Sequence, residues 1–196
     1  MPIIAILPVK SFHSGKRRLA HSLSPKSRAA LGRGLANRTL STAEAAGLIP
    51  VVVTGDDRVS SWAASLGVPA LADPGTGLSA AAAVGVEWAQ ATRSPWLVLH
   101  SDLPLLWASD LAPVTDAITG GREAIAPSAD GGTSAIGAKR PIRFSYGEGS
   151  FATHLGRMRD PVIVTSIGLL HDLDTPADLE SARRHPRGSW LEPLLT

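Results

Sequence analysis

The chain has 196 residues, a formal charge of +2 and no cysteine. That length suits one ordinary domain around a single core, and the missing cysteines exclude disulfides, thiolate metal centres, iron–sulfur clusters and a cysteine nucleophile. The basic residues are scattered apart from Lys16-Arg17-Arg18 and Arg183-Arg184, which argues against a nucleic-acid surface but leaves enough positive charge for a small anion.

After Met1 and Pro2 the sequence enters an apolar run at 3–9 with no basic leader and no membrane-length apolar segment, so a cytoplasmic protein without membrane contact is expected. That run predicts the first strand. Ser24 as a capping residue and Pro25 in the first turn predict a long helix that stops at Gly47. Strand two is expected over 49–54, a helix over 56–66, a short strand over 68–71, an alanine-rich helix over 79–91 and a strand over 96–100. A helix from Ser109 and a strand over 123–126 follow. Beyond them come a short strand between two glycine-flanked turns, a helix near 150–158, and strands near 162–164 and 168–170. Thr175-Pro176-Ala177-Asp178 opens the last helix. The tail, 184–196, reads as irregular, with Trp190, Leu191, Leu194 and Leu195 docking on the domain or on a second subunit. Strands alternating with helices in this way predict an α/β fold, a single domain spanning 1–196 with three α/β/α layers and a mainly parallel sheet.

In such a sheet ligands collect at the carboxyl ends of strands, and four such places hold unusual residues. PVKSFHSGKRRL after strand one gathers Lys10, Lys16, Arg17 and Arg18. SDLPLL places Asp102 just past the strand at 96–100. HDLDTPADL carries Asp172 and Asp174. The stretch GGTSAIGAKRPIRFSYGEGSF offers Thr133, Gly147, Gly149 and Ser150 as amide and hydroxyl donors to an anion. Each place also has a plainer reading. The basic loop fits a solvated charge cluster equally well. Asp102 fits a turn acid, and Asp172 and Asp174 fit helix-entry chemistry, although Thr175 already supplies that cap. The glycines fit simple turns. His100 and His171 are expected to pack with their rings turned away from the acids beside them, and for His154 both readings stay open.

Generic nucleotide motifs do not decide the matter. Gly15-Lys16 is followed by Arg17 instead of Ser or Thr, so a Walker loop fails. The dinucleotide fingerprint matches at Gly75-Thr76-Gly77 and again at Gly147-Glu148-Gly149, neither in the first strand-to-helix turn that it requires. Taken together, a basic loop, carboxylates at separate strand ends and amide-rich turns suit phosphoryl-type transfer across a divalent cation. No nucleophile elbow occurs.

PVK followed by KRRL, GL with its alanine run at 77–83, SDLPLL, GGTSAIG, YGEGSFATH and DLDTPADL, in that order over nearly the whole chain, resemble the CofC/FbiD guanylyltransferases of coenzyme F420 biosynthesis. The resemblance implies a fold like that of nucleotide-diphosphosugar transferases, GTP as donor, Mg²⁺ as cofactor, and phosphoenolpyruvate or 2-phospho-L-lactate as acceptor, with pyrophosphate released. It puts metal-binding and catalytic acids at Asp102 and Asp172 with Asp174 beside them, and acceptor contacts at Thr133, Gly147 and Ser150. Lys10, Lys16 and Arg18 then face the GTP phosphates, Lys16 in a catalytic role, and Gly77, Leu78 and Ser79 lie near the base or ribose. Ser79 and Ser134 depart from the asparagines that many relatives carry there. Small-molecule substrates, and transfer of product to the next enzyme of the pathway, are the partners implied. Rival readings are a molybdenum-cofactor guanylyltransferase or sugar-phosphate cytidylyltransferase type, whose opening glycine-rich loop is missing here, and a non-catalytic nucleotide binder.

Overall fold

The structure, a computed structural model, describes residues 1–195. Its centre is a sheet of seven strands, β1 (Ile4–Pro8), β2 (Ile49–Thr54), β3 (Ala70–Ala72), β4 (Trp96–Leu99), β5 (Glu123–Pro127), β6 (Thr133–Ala138) and β7 (Pro161–Ile163), in the order β3-β2-β1-β4-β6-β5-β7. Strands β1 to β4 pair in parallel, and β6 alone runs against its neighbours β4 and β5. The central strands are apolar throughout because helices cover both faces. Along β1, Ile4 and Ile6 face one layer while Ala5 and Leu7 face the other, as the two-residue period of a strand requires.

One layer holds α1 (Pro25–Ala45), α2 (Asp57–Ser65) and α4 (Ala108–Thr119), whose Leu40, Val59 and Leu111 are buried against Leu7, Val52 and Leu97. The other holds α3 (Leu78–Ala91) and the segment leading into α5 (Ser150–Leu155). The alanines of α3 serve close approach: a Cβ on Gly85 would overlap the Ile6 side chain, so the helix lies almost on the sheet. Beneath the sheet end, α7 (Pro176–Arg184) closes a third cluster with Leu19, Leu31, Leu35 and Leu173. Its cap is reciprocal. Thr175 Oγ1 accepts from Asp178 N–H while the Asp178 carboxylate accepts from Thr175 N–H, so both groups satisfy orphan amides of the first turn.

Three expectations change. Residues 168–170 are not strand but lie in a short helix, α6 (Ile167–Leu170). Gly168 there sits against the Asp110 carboxylate and Leu106, where a Cβ would overlap Asp110, and α6 packs on α4 where a strand could only have extended the sheet. The third strand begins two residues later than expected, because Val68 N–H bonds back to Ala63 O at 3.0 Å and Gly67, at φ 72°, turns the chain out of α2. That bond pattern closes a helix C-terminus and removes Val68 from the ladder. The tail is not irregular either. Pro186–Leu194 forms 3-10 turns, Leu191 is fully buried, Trp190 Nε1 donates to Pro104 O at 3.0 Å, and Leu194 lies on Gly34 of α1. It docks on its own domain.

The strand order also places a cleft. β1 has β2 on one side and β4 on the other, so the crossovers leaving β1 and β4 diverge at their carboxyl ends and open a crevice between them. Ser101 Oγ donates to Pro8 O at 3.1 Å and ties the two ends together.

Candidate active site

The crevice has a volume of about 590 Å³. Of the residues expected to act, Lys10, Lys16, Asp102, Asp172 and Asp174 line it, as do Gly77 and Leu78 at the start of α3. Thr133, Gly147 and Ser150 line it as well. Two expected nucleotide contacts do not. Arg18 is largely exposed and reaches only the rim, with its guanidinium 3.8 Å from Asp174. Ser79 turns its hydroxyl oxygen to Tyr146 N–H at 2.9 Å, which fastens α3 to the segment after β6. A second groove of similar volume, between α1, α4 and the C-terminal turns, has no carboxylate in its wall and offers nothing to a metal-assisted transfer.

The electrostatic centre is Lys16. It adopts a left-handed backbone, φ 51° and ψ 40°, one of two such non-glycine residues among those described, and costly conformations of this kind persist where the surroundings fix them. Its ammonium sits 2.7 Å from Asp102 Oδ2 and 3.0 Å from Asp174 Oδ1. Burial alone would lower its pKa, but the two carboxylates more than offset this and hold it above the ordinary lysine value. In the same way burial would raise Asp102, and Lys16 outweighs it, holding the carboxyl below its usual range.

Asp172 has no such help. It makes no ion pair among the described residues; burial, then repulsion from Asp102, Asp130 and Asp174, pushes its pKa up to about 6. Asp102 Oδ1 is buried without a hydrogen-bond partner. No group of three or more acidic or histidine side chains is assembled to chelate a metal among the described residues. Nevertheless, an unpartnered carboxylate oxygen beside a second, repelled carboxylate is a donor set that a hard divalent cation would satisfy.

The lining around Thr133 and Ser150 is different in chemistry. Gly147, at φ 138°, and Gly149, at φ 64°, turn the chain into α5 in conformations open to glycine. Ser150 Oγ and Thr133 Oγ1 stand 3.3 Å apart, both almost fully buried. Behind them His154, buried in α5, bonds Thr133 Oγ1 through Nδ1 at 2.9 Å and accepts from Ser145 N–H at Nε2 over 2.8 Å. Burial, then the positive charge of Arg157, pushes the His154 pKa down to about 4. The unfolded ring takes its proton near 6.5. Between these values the unfolded state binds more protons, so this contribution is complete above about pH 6.5 and is lost as pH falls toward 4. We therefore expect the stability gap between the wild-type protein and His154→Asn, measured by urea unfolding, to shrink by about 2 kcal/mol from pH 7 to pH 4. An unchanged gap would contradict a neutral buried ring.

Several lining residues escaped the sequence. His100 packs, as expected, on Tyr146 at 5.5 Å between ring centroids, but it also lines the crevice and leaves Nε2 buried and unpartnered. His171 lies against α7, its Nε2 3.3 Å from Asp178 O. Asp130 accepts from Gly132 N–H at 2.9 Å and from the Ser128 hydroxyl, and these bonds, Ser128 first, hold its pKa low. Asp73 lies just past β3 and accepts from Gly75 N–H at 2.8 Å. Asp73 lies two residues past the expected end of the third strand, as Asp102 does for the strand at 96–100, so the strand-end rule applied there would have found it.

Residues 3–189 match the family described as "Guanylyl transferase CofC like". This chain belongs to that family. Among CofC-like relatives, a phosphoenolpyruvate guanylyltransferase of Sphaerobacter thermophilus is 34% identical, the match covering 94% of each chain. A 2-phospho-L-lactate guanylyltransferase of Methanothermobacter thermautotrophicus is 29% identical over 100% of this chain and 90% of its own. A solved nucleotidyl transferase from the latter organism superposes with a TM-score of 0.67 at 20% identity, covering 94% of this chain and 97% of that one, which bears out the expected fold. The CofC-like chain has no described helix long and apolar enough to cross a membrane.

Proposed function

We propose that this guanylyltransferase moves GMP from GTP to the phosphate of a three-carbon phospho-acid, phosphoenolpyruvate before 2-phospho-L-lactate, with release of pyrophosphate, in the biosynthesis of coenzyme F420. The observation that carries this reading is that one crevice is lined both by a charged group, Lys16, Asp102 and Asp172, and by the hydroxyls and turn glycine of Thr133, Ser150 and Gly147. The first suits a triphosphate and the second a carboxylate.

In the reaction, an oxygen of the acceptor phosphate attacks the α-phosphorus of GTP. The new bond joins that oxygen to phosphorus, and the bond from the α-phosphorus to the oxygen bridging to the β-phosphate breaks, so its electron pair leaves with pyrophosphate. A phosphate monoester has its second pKa near about 6 and is already a dianion at neutral pH, so no residue is needed as a general base. Asp102 and Asp172 would hold Mg²⁺, with Asp174 beside them. When bound, the cation supplies charge neutralisation between two anionic reactants. Lys16 and Lys10 face the triphosphate, and the uncapped N-terminus of α3 at Gly77 and Leu78 lies toward the nucleoside. Thr133, Ser150 and the Gly147 amide orient the acceptor carboxylate, which fixes the angle of attack.

The test incubates the protein with Mg²⁺, one of GTP, CTP or ATP, and one of phosphoenolpyruvate, 2-phospho-L-lactate or 3-phosphoglycerate, and follows pyrophosphate release. Release with GTP and phosphoenolpyruvate, exceeding that with either other nucleotide, is the expected result. Preference for CTP would favour the cytidylyltransferase type, and none with any pair would reject the reading.

A further inference from the structure

The hydrogen bonds around His154 have only one consistent direction. A backbone N–H can only donate, so the Ser145 amide at 2.8 Å fixes Nε2 of His154 as an acceptor without a proton. In the neutral ring the proton must then sit on Nδ1, and Nδ1–H donates to Thr133 Oγ1 at 2.9 Å. Thr133, engaged as an acceptor there, is left to donate its own hydroxyl proton, and the neighbour within reach is Ser150 Oγ at 3.3 Å. Ser150 in turn is left to donate toward the crevice that both hydroxyls line.

We infer that His154 is a positioning residue which polarises the chain His154 → Thr133 → Ser150, so that the acceptor end presents hydroxyl protons to its ligand and selects a carboxylate over a hydroxyl or ammonium group at that point. This rests on the acceptor assignment proposed above. His154 itself touches no reacting atom; it is one helical turn beyond Ser150 on α5, and its ring is buried behind the hydroxyls. Three separate pieces of chain meet on it: β6 through Thr133, the segment before Gly147 through Ser145, and α5. Tyr146 packs edge-on against its ring at 4.9 Å, which excludes water from the imidazole and keeps it from turning over. Burial also keeps the ring uncharged through the neutral range, so the direction of the chain does not reverse there. Without the ring, either hydroxyl could donate to the other and a donor to the ligand would no longer be guaranteed.

Two measurements on the full-length protein test this. The first needs no substrate: ring ¹⁵N shifts of His154 at pH 7 are expected to report a neutral imidazole protonated at Nδ1, and an Nε2–H tautomer or an imidazolium would overturn the inference. The second compares His154→Ala, →Asn and →Gln in steady state. The amide nitrogen of Asn reaches the Nδ1 position and keeps a donor to Thr133, whereas the longer Gln keeps only the bond to Ser145. His154→Ala and His154→Gln are expected to raise KM for the acceptor acid by about 10- to 100-fold, the worth of one charge-assisted hydrogen bond, with KM for GTP within about two-fold and His154→Asn close to wild type. Equal loss toward GTP, or failure of Asn to recover acceptor KM in protein shown to be folded at the assay temperature, would make the residue merely structural. If the wild-type protein transfers GMP to none of the acids, the acceptor assignment fails, and the ¹⁵N result still stands or falls by itself.

Discussion

Asp102→Asn is expected to lower turnover by about 10²- to 10³-fold or more, the scale of losing a charged group that acts on a transferring phosphoryl, while changing the melting temperature by only a few degrees. Two electrostatic consequences oppose each other in that variant. Lys16 loses the nearer of its two partners, at 2.7 Å, which destabilises. Asp172 loses the neighbour that contributes most, after burial, to its raised pKa, which stabilises. The main-chain bond from Leu173 N–H to Asp102 O at 3.0 Å does not depend on the side chain and keeps the strand end in place. Asp172→Asn is the informative companion. That carboxylate makes no ion pair among the described residues and is repelled by three others, so its neutral substitute should raise the melting temperature and still abolish turnover. Stability sacrificed to hold a repelled charge is a mark of a functional acid. Both variants are read by pyrophosphate release and thermal melting, and wild-type turnover in Asp102→Asn would reject the role assigned to that acid.

Lys16→Met should be the most damaging of these changes to stability and should cost activity as well. The methionine stem fills similar space, but two carboxylates, Asp102 and Asp174, lose their shared cation. Removing one partner from a buried pair costs about 3–5 kcal/mol; Asp174 is about half exposed, which softens the loss. We expect about 2 kcal/mol, equivalent to about 4–8 °C in a domain of this size. That loss should appear in full in the presence of a chelator. Added Mg²⁺ should then restore more of the melting temperature in the variant than it adds to the wild-type protein, because Asp102 has no other ion-pair partner among the described residues. The ratio kcat/KM for GTP should fall about 10²- to 10³-fold. A variant that melts like the wild-type protein in chelator would show that the ammonium does not balance the acids.

Much of this was legible in the chain. Ser24 and Pro25 mark the start of α1, Thr175 and Asp178 cap α7 reciprocally, and the apolar runs of β1, β2 and β4 lie within a residue of where periodicity puts them. The strand-end rule found Lys10, Asp102 and Thr133 because each follows or begins a strand that the sequence defines well. It passed over Asp73, just past the short strand β3, and did not place His100 in the crevice, where its ring packs on Tyr146. A short apolar run such as 168–170 has no period long enough to tell helix from strand, and packing against α4 decides it.

Sequence by itself determined the order and type of most elements, because caps, periodicity and turn glycines act through sterics and hydrogen bonds between residues a few positions apart. Tertiary structure alone decided which strand ends become neighbours, that Lys16 reaches Asp102 and Asp174 from 86 and 158 residues away, and that His154 orders two hydroxyls. Those contacts depend on how seven strands are arranged side by side, and no local preference of the chain encodes that arrangement.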